Sequence, residues 1–464
     1  MVLYSLAAVG GVIITGSLVS RALFLSALPA EDIPYKYLLP PLALILVSAA
    51  YARLSSRWSR PQLIYLVCTL SAIGIFGVRW LLGIQTHSFW LLCGLYIFID
   101  VVSALVILQF WTFAGDLFTA REARRVFPLI TAGSTLSNLL FGLGLSAAAT
   151  RVDPGELLLI MVASLASIVV VTSRLAPSTL TPTGGGAQKP ATTPTRADLH
   201  SHPLLPAVAG LILLVTVVSN IADYQLDLAL QRHYVGDGRG MLSFLGGFRF
   251  WSGLGACVLQ FFVARRLLER FGVGAALLLL PVAIAGGSLA ILLTGGALWA
   301  VSVPRGSDVV LKYTIHDASL NLLFLPIPDT LRAAAKTWIE GVLKPPVATA
   351  LALLFLWAGP DTTPQAWAAP VLILVIIWLW LGRRAARLYV EGLAQSLQMR
   401  RLDLTQVPLR LTDESTIGVI RRALDADDAL KTTQAIGWIE QMGASQWRNE
   451  LVALARHSDA AVRT

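Results

Sequence analysis

Arg305, Asp308, Lys312 and His316 stand in one largely apolar stretch, WAVSVPRGSDVVLKYTIHDASLNLLFL (Trp299 to Leu325), at steps of three, four and four residues. On a helix those steps put a base, an acid, a second base and a titratable ring on one stripe, with Asp317 directly after. The stretch is long enough to cross a bilayer with some tilt. A charge at the bilayer centre costs at least about 2.5 to 3.5 kcal/mol, so the stripe must face a watery cavity or partners of its own. Asp308 can neutralise Arg305 or Lys312 within the helix, and one base is then left over. Its natural chemistry is capture of an anion.

Other polar side chains inside apolar runs extend the pattern. Arg249 lies in GGFRFW, and Lys336, Glu340 and Lys344 follow one another at four-residue steps on one face. Pro345 and Pro346 come next, and the loss of their backbone donors predicts a bend near the middle of that helix. Lys312, Arg249 and Lys344 fall near mid-membrane, and three such bases around a cavity favour a ligand with several negative charges. Asp100, Asp223 and Asp308 would keep that cavity from strong self-repulsion. Tyr313, Phe250 and Trp251 lie beside the bases, where a ring either stacks a nucleobase or packs in the core. Asn138 joins them on the fifth span, with Ser134 and Ser137. Arg21 and Arg79, toward the outer ends of spans 1 and 3, either snorkel to the interface or take part in gating. Asp223 and Asp227 either neutralise Arg249 or, with His316, Asp317 and Glu340, serve coupling.

The elements that must carry these residues are plain from composition. Of 464 residues 56% are hydrophobic and 14% charged, against about 25% charged in soluble domains. An all-α polytopic membrane protein of about twelve spans follows, arranged as six, a linker and six. The bundles are expected at 1–175 and 204–388, with a flexible cytoplasmic linker rich in Pro, Thr and Gly at 176–203 and a polar helical region at 389–464. Arg53, Arg57 and Arg60, then Arg121, Arg124 and Arg125, then Arg265, Arg266 and Arg270, then Arg332 and Lys336, then Arg383, Arg384 and Arg387 all follow even-numbered spans. By the positive-inside rule both termini are cytoplasmic, in a multi-pass protein of the cell (inner) membrane. Much of the net charge of +9 is therefore topological and gives no ground for a nucleic-acid partner. ARLSSRWSR after span 2 and ARRLLERFG after span 8 echo one another six spans apart, as two similar halves would. That arrangement is similar to the major facilitator superfamily, which implies alternating access.

Several classes are excluded. Cys68, Cys93 and Cys257 lie singly in apolar runs, and the six histidines do not cluster at ligand spacings, so no metal or disulfide framework is expected. No Gly-x-x-x-x-Gly-Lys-Ser/Thr loop is present, which argues against an ATP-driven pump. No cofactor and no enzymatic constellation is read, nor a cleavable signal peptide.

The run FWTFAGDLFTAREARRVFPLITAGSTLSNLLFG, Phe110 to Gly142, resembles the span 4 to span 5 region of the ATP/ADP translocase family, the nucleotide transporters of plastids and intracellular bacteria. The matching positions are Phe110, Trp111, Phe113, Ala114, Glu122, Ala123, Arg124, Arg125, Phe127, Pro128, Gly133 and Asn138. KYTIHDAS, Lys312 to Ser319, resembles the family's Lys-Tyr-Ser-x-x-Asp-x-Thr element, and IPDTLRAAAKTWIEGV its crossing into span 11. The resemblance implies exchange of ATP against ADP, with phosphates on Lys312, Arg249 and Lys344 and local pairing set by Asp308 and Asp100. Where the family has a Lys-Glu pair this chain has Leu320 and Asn321, and of a dense charged cluster in the first span only Arg21 remains. Asp100 matches the family's span 4 acid only with a slip of one. Fold and transporter class thus carry over more firmly than the substrate. A second reading is a transporter of another organic anion, proton-coupled through Asp223 or His316.

Beyond span 12, WRNELVALARHSDAAVRT and the segments before it resemble HEAT repeats, with Asp459, Val462 and Arg463 at the turn and helix start. Only about one and a half units are present, too few to bury their faces alone, so the tail either docks on the membrane domain or is truncated. A third reading follows, a membrane receptor or scaffold that meets a cytoplasmic protein through this tail.

Overall fold

The computed structural model describes residues 1–175 and 203–398, apart from 56, 85–87, 119, 328, 360 and 361, together with residues 439 and 447. Regular structure among them is helical throughout. The twelve long helices are α1 (Val2–Ala27), α2 (Tyr35–Ser55), α3 (Arg60–Leu82), α4 (Phe89–Leu117), α5 (Ala120–Ala149) and α6 (Leu158–Leu175), then α7 (Leu204–His233), α8 (Gly238–Val263), α9 (Ala264–Thr294), α10 (298–323), α11 (329–358) and α12 (Pro364–Gln398). Ten are long and apolar enough to cross a membrane. The two exceptions are α5 and α10, and α10 holds the charged stripe. α12 continues as helix through Gln398, well past the end expected from hydropathy. Most of the proposed linker and nearly all of the HEAT-like tail lie outside the described residues.

Each half closes on itself and the halves meet along matching seams. α3 packs on α6 and α2 on α4 in the first half; α9 packs on α10 and α12, and α12 on α7, in the second. Across the halves α5 lies along α8 and α2 along α11. Shifting each member of the first pair by six helices, 5 to 11 and 8 to 2, gives the second pair, so one seam repeats the other by pseudo-symmetry, as internal repeats require. In lipid there is little hydrophobic drive between helices, and small residues allow the close backbone contact that holds such seams. A β-carbon on Gly246 would stand 2.7 Å from the Ser146 backbone nitrogen and 2.8 Å from the Gly142 carbonyl oxygen. The Ser146 hydroxyl donates to the Ser243 carbonyl at 2.8 Å, and the Ser243 hydroxyl donates to the Ser146 carbonyl at 3.2 Å.

Twelve crossings leave both ends of the helical body on one face, here the terminal side; the other is the far side. Trp80, Trp90, Trp299 and Trp357, all exposed, lie at helix ends on the far side, where an aromatic belt meets the headgroups. Four helices contain π-helical turns, at Leu6–Ile14, Leu259–Val263, Lys312–His316 and Ile339–Leu343. The last directly precedes Lys344, Pro345 and Pro346, so the expected disturbance of α11 takes the form of a widened turn. π-turns often mark working positions.

Candidate functional site

Two of the π-turns present side chains to one cleft. Lys312, Tyr313, Asp317, Leu320 and Asn321 of α10, and Phe324 directly after it, face Lys336, Ile339, Glu340 and Lys344 of α11, with Ile212, Val215 and Thr216 of α7 as the third wall. The empty volume is about 860 Å³. Lys312 and Lys344 lie midway along their helices, whereas Asn321, Phe324 and Lys336 lie near the terminal side, so the cleft runs from mid-membrane toward that face. Lys336 donates to Asn321 Oδ1 at 2.7 Å and sits 5.1 Å from the Phe324 ring centroid. Lys312 donates to the Ser219 hydroxyl at 3.1 Å and lies 5.6 Å from the Tyr313 ring. Among the described residues none of the three lysines is within ion-pair distance of a carboxylate. The cleft holds three bases against Asp317 and Glu340, an excess of one positive charge.

Deeper, toward the far side, the charges are paired and cross between bundles. Arg21 on α1 reaches Asp227 at 2.6 Å and Asp223 at 3.1 Å, both on α7. Lys36 on α2 reaches Asp227 at 2.5 Å and Asp223 at 3.3 Å. Tyr37 brings its hydroxyl within 2.6 Å of Asp227 and 3.1 Å of Asp223. Arg305 on α10 then bridges Asp223 at 3.0 Å and Asp308 at 2.7 Å. The other Asp308 oxygen accepts from the Ser219 hydroxyl at 2.6 Å. The Asp227 side chain is 0% exposed and that of Lys36 3%, so these are buried ions whose desolvation is tolerable only with the full set of partners. Aromatic rings flank the cluster: Tyr224 stacks on Phe355 at 4.1 Å, Trp367 meets both edge-on, and Tyr37 from the first half meets Phe355 at 5.5 Å.

The structure redistributes the sequence-predicted residues. Lys312, Lys344, Tyr313, Asp317 and Glu340 share the cleft. Arg305, Asp308, Asp223, Asp227 and Arg21 belong to the cross-bundle cluster. Asp223 and Asp227 pair with Arg21, Lys36 and Arg305, and neither pairs with Arg249. Arg249 is not a lining residue of the cleft; it lies within electrostatic reach of Arg305, Arg21 and Tyr313, its Nε buried without a hydrogen-bond partner. Asp100 is exposed, within electrostatic reach of Lys36. Asn138 sits on the α5–α8 seam opposite Gly253 and donates to the Ser134 carbonyl at 3.1 Å. His316 is fully buried edge-on to Trp378, away from the cleft. Phe250 packs its backbone against Gly142, and Trp251 is exposed.

Arg79 pairs with Glu156 inside the first half, Nη2 to Oε1 at 2.5 Å, and with no residue of the cluster. Exposed pairs of this kind contribute little. Arg79→Ala is therefore expected to leave melting temperature and flux unchanged, which a thermal scan beside a flux assay checks.

Lys36, Tyr37 and Ser219 were missed by sequence reasoning. Lys36 is the second residue of α2. The available signal was an unmatched acid pair: Asp223 and Asp227, one turn apart on an apolar helix, need more than one cation.

No family model matches the chain. It is 23% identical over 448 residues to ADP,ATP carrier protein 1 of Chlamydia pneumoniae, covering 79% of this chain and 85% of that one. Among solved structures it is similar to the nucleoside transporter NupG, with TM-score 0.54 and 13% identity over 84% of this chain and 97% of NupG. A bacterial homologue of the human lysosomal transporter Spinster, inward-facing and unoccupied, gives TM-score 0.53 and 14% identity over 84% and 97%. A bacterial homologue of the iron transporter ferroportin, in its inward-facing state, gives TM-score 0.54 and 13% identity over 84% and 98%. The chain thus shares the fold of these transporters, and the resemblance to the carrier reaches well beyond the motifs at Phe110 to Gly142 and Lys312 to Ser319.

Proposed function

We propose that this protein is a membrane transporter that exchanges nucleotides, ATP against ADP, by alternating access between its two bundles. The observation that carries the reading is the cleft, where Lys312, Lys336 and Lys344 stand without a carboxylate partner beside the Tyr313 and Phe324 rings. A polyphosphate supplies the missing negative charge, and a base can lie against a ring. The carrier of Chlamydia pneumoniae supports the nucleotide over other anions. The basic loops support a cytoplasmic terminal side, and on that reading the cleft opens inward. Arg249, within electrostatic reach of Tyr313, takes the far end of a long anion.

The test is uptake of labelled ATP into vesicles preloaded with ADP. Exchange is expected, and Lys312→Ala is expected to lose a charge-assisted bond of about 1.5 to 3 kcal/mol. That corresponds to a rise in half-saturation of roughly 10- to 150-fold. Uptake indifferent to internal ADP and to Lys312 would sink the reading.

A second reading, carriage of a different organic anion, is favoured by Leu320 and Asn321, which line the cleft where the resembling family has a Lys-Glu pair. A screen for anions that raise the melting temperature separates the two, since a ligand that binds the folded form stabilises it. Stabilisation by dicarboxylates but not by nucleotides would select the second.

A further inference from the structure

We infer that Arg305 is the residue through which an anion in the cleft loosens the ion-pair latch between the bundles. This rests on the anion reading above and adds to it a coupling between cargo and gate. The latch is formed by Arg21, Lys36 and Tyr37 of the first half against Asp223 and Asp227 of the second. All five lie near the far-side ends of α1, α2 and α7, so separating the bundles at that end must break it.

Arg305 belongs to both neighbourhoods. Its Nε holds Asp223 of the latch at 3.0 Å, while its Nη1 holds Asp308 at 2.7 Å. Asp308 continues through Ser219 to Lys312 in the cleft, by hydrogen bonds of 2.6 Å and 3.1 Å. The chain of contacts from Lys36 to Lys312 is therefore unbroken and made of groups that exchange partners readily. Arg305 is also reachable, with 23% of its side chain exposed, and Arg249 stands within electrostatic reach of it without an acid of its own. Arg21, Lys36 and Arg305 face Asp223, Asp227 and Asp308, three cations against three carboxylates, and Arg249, within electrostatic reach of Arg21 and Arg305, adds a positive charge beside them. An anion drawn to that excess arrives beside Arg305 and competes with Asp223 for it. Asp223 then keeps Arg21, Tyr37 and Lys36, at 3.1 Å, 3.1 Å and 3.3 Å, all longer than the contact it loses. The latch weakens when cargo is present, and a ligand moves a two-state equilibrium only by such a differential contact.

The experiment reads the far-side seam directly. Ser26 lies in the last turn of α1 there, its carbonyl accepting from the Gly236 amide at 3.0 Å and its hydroxyl close against Gly238. Ser26→Cys is labelled from the far side with a membrane-impermeant maleimide, the background being the parent protein with Cys68, Cys93 and Cys257. Without ligand, Asp223→Asn combined with Asp227→Asn is expected to speed labelling on the order of tenfold, a usual size for coupling between sites. Should that pair fail to fold, the exchanged pair Arg21→Asp with Asp227→Arg keeps the charges facing and is expected to label as slowly as the parent. Fast labelling of the exchanged pair, or slow labelling of the neutralised pair, overturns the latch.

Saturating inorganic tripolyphosphate is expected to speed labelling of the parent severalfold. Arg305→Lys keeps the charge but cannot bridge two carboxylates with a planar fork. At its own saturation it should respond less than a third as much. An equal response, no response of the parent despite bound tripolyphosphate, or loss of binding in Arg305→Lys would each overturn the inference. If the parent binds no tripolyphosphate at all, the anion reading and the part of Arg305 both fall, while the ligand-free arm still decides the latch.

Discussion

Asp227→Asn is expected to lower the stability of the folded protein by about 3 to 5 kcal/mol, read as a fall in the thermal unfolding midpoint in detergent. The figure is the usual cost of removing one partner from a buried ion pair and leaving the other charge uncompensated. Asp227 has 0% exposure and carries the two shortest ion pairs of the cluster, 2.5 Å to Lys36 and 2.6 Å to Arg21. In the parent, three cations (Arg21, Lys36, Arg305) face three carboxylates (Asp223, Asp227, Asp308). The single change leaves three against two. Adding Lys36→Gln restores balance at two against two, and the double variant is expected to recover much of the loss. Residues in one network couple strongly, so the two changes should be far from additive. A double variant weaker than the sum of the singles would show that the cluster stabilises through geometry rather than through charge balance.

The fold was legible in the sequence because bilayer thickness imposes a length on every apolar run, and because bases on alternate loops fix which ends lie together. Both constraints act locally along the chain. The site was legible only in part. Lys312, Tyr313 and Asp317 are close in sequence and on one helix, so their common face could be read from spacing. Lys344 joins them because four-residue steps carry the α11 face from Lys336 through Glu340. Partnership across the bundles could not be read in this way: Lys36 is 191 residues from Asp227 and Arg21 is 206. No periodicity within a helix records which helix end meets which. The same limit applies to Arg249, read as a third base beside Lys312 and Lys344: it lies outside the cleft lining and within electrostatic reach of Arg21, Arg305 and Tyr313. Asn138 was read from motif likeness as a substrate contact, and its neighbours on the α5–α8 seam are small residues and backbone. His316 shares a stripe with Lys312 by arithmetic, but the π-turn at Lys312–His316 shifts the register within that very segment, and the ring turns into the core against Trp378.

Gly246→Leu is expected to disable the protein more thoroughly than loss of any one cleft lysine. The nearest atoms to a side chain at 246 are the Ser146 nitrogen at 2.7 Å and the Gly142 oxygen at 2.8 Å, both backbone. A helix backbone cannot turn aside as a flexible side chain does, so α5 and α8 must move apart along their length. Overpacking of this kind typically costs about 1 to 3 kcal/mol. Separation also breaks the two Ser146–Ser243 hydrogen bonds, each worth about 0.6 kcal/mol on average between membrane helices. The effect reaches function because α5 and α8 come from different halves, and any alternating motion must pivot about the seam they form. Gly247→Ala is the control, since its β-carbon would find only the Ser146 hydroxyl at 3.7 Å, an ordinary contact. Gly142→Ala probes the same crossing from the other helix, where the Phe250 nitrogen lies 2.8 Å away. Gly246→Leu and Gly142→Ala should therefore each lower the melting temperature and flux, the pair little more than Gly246→Leu alone, and Gly247→Ala neither. Full flux in Gly246→Leu would mean that the bundles do not pivot on this seam.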